Sequence, residues 1–193
     1  MTSVTTDSIS LRGAGIVTIA QPAHGHRFTL DSVLLADFCR IKQGDRVMEP
    51  GAGTGIISLL LAKKHPRASF TAIEAESSLA GLLTPNISAN SLDGRITVYA
   101  QDFRKPMKAP GPGTQNVIVA NPPYVKEGSG KPSPQAIRQS ARHDRAASLE
   151  AWLDLQRYLR NKGRYFLVFP AARMAELLFL LRERKLEPKR LRL

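Results

Sequence analysis

The sequence predicts an α/β fold, a mainly parallel central sheet with helices on both faces. Three observations carry that reading. Short apolar runs alternate with amphipathic stretches at the spacing of strand–helix–strand units. A glycine-rich turn, "EPGAGTG" over residues 49–55, lies between the first core strand and its helix. Acids stand at the ends of three successive expected strands, Glu49, Glu74 and Asp102, on the carboxyl edge where open α/β sheets take ligands.

The elements follow in order. Residues 11–21 alternate weakly through Val17 and Ile19, as a short strand would. "TLDSVLLADF" puts Leu30, Val33, Leu34 and Phe38 at helical spacing, with Thr29 as N-cap. "DRVME" is a strand, "IISLLLAKKH" a helix closed by Pro66, and "ASFTAIEA" a strand. "ESSLAGLLTPNISAN" is helical but interrupted by Pro85, and "RITVYAQD" is a strand. "KPMKAPGPGTQ" is loop by composition, and "NVIVA" is a buried strand. Residues 125–147 are polar, basic and aperiodic. Ser148 caps a helix expected to reach Asn161, with Gly163 just past its end. "RYFLVF" is a strand. "AARMAELLFLLRERK" is a helix with Leu177, Leu178, Leu180 and Leu181 in its core face, and Trp152 packs as a helix residue.

The 193 residues make a single domain, with 1–44 as an entry segment and 45–193 as the functional core. At 42% hydrophobic residues the chain can bury a proper core. The single cysteine, Cys39, cannot form an internal disulfide, which suits a reducing, cytoplasmic setting. "MTSVTTDSIS" lacks the basic and apolar regions of a signal peptide, and no apolar run approaches the ~18 residues of a membrane span. A net charge of +12 and a pI near 10.3 favour nucleic acid as partner. His24, His26 and His143 do not have zinc spacing and no cysteines accompany them, so no metal is expected.

Gly51, Gly53 and Gly55 let the backbone approach a ligand closely. The dinucleotide fingerprint requires a further glycine where this chain has Ile56, and a phosphate loop requires Gly-Lys-Ser/Thr, which is absent. Glu49 before the glycines repels phosphate and attracts a cation. Glu74 can accept from two ribose hydroxyls. Asp102 can accept from an adenine amine, with Phe103 or nearby backbone flanking the base. An ammonium, a ribose and an adenine without phosphate describe S-adenosylmethionine.

On these residues the chain resembles the class I S-adenosylmethionine-dependent methyltransferases, from about residue 13 onward. Glu49 through Gly55 match the family's first motif, Glu74 its ribose acid, and Asp102-Phe103 its adenine motif. The resemblance implies a Rossmann-like sheet continued by two more strands. The sequence stops at "EPKRLRL", so the core is expected to be truncated at the sixth strand, with an open edge that invites self-association.

"NPPY", residues 121–124, matches the family's motif for planar amines. Asn121 and the Pro122 carbonyl would accept the two amine hydrogens, and Tyr124 would stack on the base. The stretches "QPAHGHRFTLDSVLLADF" (21–38) and "NPPYVKEGSGKPSPQAIRQSARHD" (121–144) are similar to the bacterial tRNA1(Val) (adenine(37)-N6)-methyltransferases. That resemblance implies tRNA as partner and N6-methylation of an adenine beside the anticodon. Asn121 would also border the cofactor. Pro123, Lys126, Lys131, Arg138, Arg142 and His143 would then contact RNA or order the segment that does. A release-factor glutamine methyltransferase and a guanine-N2 rRNA methyltransferase carry related tetrapeptides and stand as alternatives. The former usually has a separate helical N-terminal domain, whereas about 45 residues precede the first core strand here. An RNA-binding relic without turnover is the non-enzymatic alternative.

Overall fold

A computed structural model describes residues 3–107, 109–123 and 148–193. These described residues fall into two compact units, one of residues 3–107, 109–121 and 155–168, the other of residues 122–123, 148–154 and 169–193.

The first unit opens with a hairpin. β1 (Val4–Leu11) and β2 (Gly15–Pro22) pair antiparallel from Val4↔Pro22 to Leu11↔Gly15. β2 is the alternating segment, with Val17 and Ile19 fully buried. β1 was not anticipated. Its "VTTDSISL" is too polar to signal a core strand, but its β-branched residues suit a mostly exposed one.

α1 (Leu30–Phe38) starts at Thr29, whose backbone is extended but whose side chain makes no capping bond. The buried face follows the expected spacing only in part: Val33 and Phe38 are half-buried against the core. Ser32, Leu35 and Ala36 are buried, whereas Leu30 and Leu34 are 69% and 45% exposed. Helix α1 packs on α2 (Ile56–Lys64), and small Ser32 and Ala36 allow a closer approach than the larger leucines would.

β3 (Arg46–Pro50), β4 (Ser69–Glu74), β5 (Ile96–Ala100), β6 (Gln115–Ala120) and β7 (Leu159–Leu167) form one sheet, in the order β5-β4-β3-β6-β7. Every pairing in it is parallel. The chain moves outward one way from β3 through β4 to β5, then returns to β6 on the other side. The point of reversal lies between β3 and β6, and crevices at such points bind ligands in open α/β sheets. The buried runs Val47–Met48 and Val117–Ala120 are apolar without alternation, as strands covered on both sides are.

α3 (Ser77–Ala89) continues through Pro85 instead of breaking there. Asn86 on its buried face and Asn90 at its C-cap hold it against the hairpin. Asn86 accepts from Ala20 N (2.7 Å) and donates to Ala20 O (2.9 Å). One turn later Asn90 accepts from Thr18 N (3.0 Å) and donates to Thr18 O (2.6 Å). Each amide thereby pairs with β2 as a neighbouring strand would.

The segment after Ser148 departs from expectation. Ser148 does cap a helix, accepting from Ala151 N at 3.3 Å. That helix, α4 (Leu149–Leu153), is short and gives way to a 3-10 turn over Asp154–Tyr158. β7 begins at Leu159, where a longer helix was expected, and its register shifts between Gln115↔Leu159 and Val117↔Arg164. Gly163 therefore lies within the irregularity and not at a helix end. A Cβ there would meet Arg160 O and Leu159 Cβ at 2.9 Å.

In the second unit α5 (Met174–Glu183) buries Leu177 but leaves Leu178 45% exposed. Leu178 lies about 100° around the helix from Leu177, at the margin of the apolar stripe. Trp152 is buried, as expected. Residues 186–193 follow α5 without a further strand. No described helix is long and apolar enough to cross a membrane.

Candidate functional site

The strand register places the expected acids on one edge. Pro50 pairs with Ile73, Glu74 with Ala100, and Met48 with Ile118. The ends of β3, β4, β5 and β6 are therefore level, and Glu49, Glu74, Asp102 and Asn121 all lie at or just beyond them.

The glycine turn joins β3 to α2. Gly51, Gly53 and Gly55 all have positive φ, at 63°, 57° and 94°, where side chains are strained. Their roles differ. A Cβ on Gly55 would approach Leu83 Cδ2 of α3 to 2.5 Å, so this glycine lets the two helices meet. A Cβ on Gly53 would meet nothing within 4 Å, which leaves that stretch of backbone open to a ligand. The turn is pinned from several directions. Ala52 N donates to Ile73 O (3.0 Å), Gly53 N to Glu74 Oε2 (2.7 Å), and Asn86 Nδ2 to Thr54 O (2.9 Å).

Glu49 is only 3% exposed. Its Oε2 accepts from Ser58 N at 2.9 Å and from the Ser58 hydroxyl. Ser58 lies in the first turn of α2, and the N-cap of that helix, Gly55, has no side chain to satisfy the free N–H groups there. Glu49 supplies that cap from the preceding strand. Burial pushes its carboxyl up to about 8, Ser58's hydrogen bonds oppose the rise, and the Glu74 charge adds to it. A cation placed beside Glu49 would favour the ionised form.

Glu74, 8% exposed, divides its oxygens between two backbone donors. Oε2 accepts from Gly53 N and Oε1 from Glu76 N, each at 2.7 Å. A carboxylate oxygen has two lone pairs, so each oxygen retains one for a hydroxyl. That geometry fits a vicinal diol.

Asp102 is engaged differently from expectation. Arg104 forks onto it, with Nη2–Oδ2 at 2.6 Å and Nε–Oδ1 at 2.9 Å, and Arg104 N also reaches Oδ1 at 2.9 Å. These hydrogen bonds hold its carboxyl below the usual range. To accept from an adenine amine it must share with or displace a guanidinium that is 35% exposed. Phe103 is buried.

Asn121 follows the last residue of β6 and is half-buried. Its Nδ2 donates to Ser32 Oγ of α1 at 3.1 Å. Pro122 is buried and Pro123 exposed. Tyr124, Lys126, Lys131, Arg138, Arg142 and His143 lie outside the described residues. Among the described residues no group of His, Cys, Asp and Glu could hold a metal ion.

Sequence reasoning missed Ser32, Ser58 and Asn86. A signal for Asn86 was present: "NISAN" puts an amide inside the last turn of a helix, where Asn is a poor former unless it has a partner, and a second amide one turn later at the helix end.

The methyltransferase small domain model matches residues 26–176, from the segment before α1 into α5. The chain belongs to the methyltransferase small domain family. Among its curated relatives, the tRNA1(Val) (adenine(37)-N6)-methyltransferase of Bacteroides thetaiotaomicron is 32% identical over 142 residues, 72% of this chain and 58% of the relative. The protein of the same name from Parabacteroides distasonis is 32% identical over 162 residues, 83% of this chain and 66% of the relative. The chain thus spans about three fifths of the length of these relatives. A solved structure of a SAM-dependent O-methyltransferase from Thermotoga maritima aligns at a TM-score of 0.57 with 20% identity, covering 83% of this chain and 51% of that one. That likeness establishes the Rossmann-like methyltransferase fold.

Proposed function

We propose that this chain transfers a methyl group from S-adenosylmethionine to the exocyclic amine of an adenine in tRNA, at position 37 beside the anticodon, and that it does so in the cytoplasm. The observation that carries the reading is the order of strand ends: Asn121 follows β6 beside β3, whose buried Glu49 and glycine turn stand at the reversal point of the sheet, and buried Glu74 ends the next strand, β4. The names of the curated relatives support the same reaction and position, and a net charge of +12 supports an RNA substrate.

The residues present fit the cofactor. Glu74 has a spare lone pair on each oxygen for the ribose, Glu49 is a buried acid for the cationic end, and the open backbone at Gly53 admits close approach. Asp102 fits once Arg104 shares it. When bound, S-adenosylmethionine supplies an electrophilic methyl on a sulfonium, already a good leaving group. The protein's task is orientation. An adenine amine is a weak nucleophile because its lone pair is delocalised into the ring. Asn121 Oδ1 and the Pro122 carbonyl accept the amine's hydrogens, which draws the nitrogen toward tetrahedral and frees its lone pair. No strong base is needed before attack, since the methylated amine becomes acidic and sheds its proton readily. Tyr124 supplies the stacking face, and the basic residues Lys126, Lys131, Arg138, Arg142 and His143 grip the RNA around the base.

Labelled methyl offered with unmodified tRNA, ribosomal RNA and release factor in parallel tests the reading. Label in tRNA is expected. Label in release factor or ribosomal RNA instead would overturn the substrate, and label in none would overturn the activity.

A further inference from the structure

We propose that Ser32 of α1 is a positioning residue for Asn121, holding its amide in the orientation that receives the substrate amine. The inference rests on the reaction proposed above but assigns a role to a residue outside the "NPPY" motif and 89 positions away from it in the chain.

Ser32 is 5% exposed, a buried hydroxyl on an otherwise apolar helix face beside Leu35 and Ala36. Such a group is retained at a cost unless it is bonded. Its oxygen receives the Asn121 Nδ2 donor at 3.1 Å. An Asn amide is planar, with the acceptor on one branch and the donor on the other. Once the nitrogen is held by Ser32, the amide plane is restrained and Oδ1 occupies the other branch. A hydroxyl can also donate, so Ser32 alone would tolerate the flipped amide. A substrate amine, which offers only hydrogens to Asn121, selects the orientation in which Ser32 accepts. The pair thus forms a relay of hydrogen bonds running from the amine through Oδ1 and Nδ2 to Ser32.

Ser32 is itself firmly placed. Ser32 N donates to Thr29 O at 3.1 Å. The segment leading into α1 is clasped to the hairpin, where Gln21 accepts from Phe28 N (3.1 Å) and donates to Asp7 (2.7 Å), and Arg27 pairs with Asp7 (2.8 Å). At the other end of α1, Asp37 pairs with Lys64 of α2 at 3.5 Å. The helix thereby ties the catalytic amide to the same framework that carries the glycine turn.

The experiment measures single-turnover methyl transfer to unmodified tRNA, at saturating cofactor and RNA, for wild type, Ser32→Ala, Ser32→Thr, Asn121→Ala and the Ser32→Ala/Asn121→Ala double variant. Cofactor affinity and the Asn121 side-chain NH2 resonances are followed beside it. Ser32→Ala should slow transfer on the order of 10- to 100-fold, the cost of a small misplacement at a reacting centre, with cofactor affinity unchanged and the NH2 resonances displaced. Ser32→Thr, which keeps the hydroxyl, should recover most of the rate. The double variant should be no slower than Asn121→Ala. A wild-type rate in Ser32→Ala, or losses that multiply in the double variant, would overturn the role. An inactive wild type would contradict the proposed reaction instead, and undisplaced NH2 resonances in Ser32→Ala would still overturn the Ser32 contact.

Discussion

Glu49 caps α2 through Ser58, and its burial makes that role visible in pH. The folded carboxyl titrates at about 8 against an ordinary 4.5. Between those values the folded chain keeps a proton that the unfolded chain releases, so this group lowers stability progressively as pH rises through the window and adds no further change above it. Glu49→Gln removes the titration but keeps an acceptor for Ser58. Its unfolding free energy relative to wild type should rise by on the order of a few kcal/mol from pH 5 to pH 8.5, read by denaturant titration. A difference that does not vary with pH would contradict the account. Glu74 accepts from the backbone N–H groups of Gly53 and Glu76. Glu74→Ala should weaken S-adenosylmethionine by about 1.5–3 kcal/mol for each ribose bond lost to a charged acceptor, and should lower the melting temperature as well, because two backbone donors lose their partner. Unchanged affinity in calorimetry would remove Glu74 from the ribose site.

The clasp of α3 on the hairpin and the glycine turn dominates at the scale of elements. Asn86, 2% exposed, serves Ala20 N, Ala20 O and Thr54 O at once. Asn86→Ala strands those groups and should cost about 2–4 kcal/mol of stability, with a loss of cofactor affinity through the loosened turn; a variant as stable as wild type would show that the clasp is dispensable. This element also marks where sequence reading reaches its limit. The core strands were legible because runs such as "VIVA" are apolar without alternation. The glycine turn and its acids were legible because few chemistries need that spacing. The hairpin's first strand was not, because an exposed strand of Thr, Ser and Asp has the composition of a loop. The face of α1 was legible only in part: spacing placed Val33 and Phe38 toward the core, but packing buried Ser32, Leu35 and Ala36 in place of Leu30 and Leu34. Around Gly163, a glycine after a polar helical stretch reads equally as a helix end or a strand irregularity, and tertiary pairing with β6 decided it. Pairings such as Ser32–Asn121 bridge distant parts of the chain, and no local pattern announces them.

For the whole molecule, the charge of +12 should make RNA affinity fall with salt. The slope of log K against log salt is expected to be about −0.7 to −0.9 per phosphate contact, checked by fluorescence anisotropy of labelled tRNA over a salt series, and a flat response would return the substrate to a protein. The central claim is narrower: a planar adenine amine in tRNA is methylated through Asn121. Its most direct test is nucleoside mass spectrometry of tRNA after incubation with S-adenosylmethionine and either wild type or Asn121→Ala. The account predicts N6-methyladenosine with the wild type and a rate lower by on the order of 10²–10³-fold with Asn121→Ala, the loss expected for one preorganised polar contact to a transition state. Methylation of another base, or equal rates for the two proteins, would contradict it.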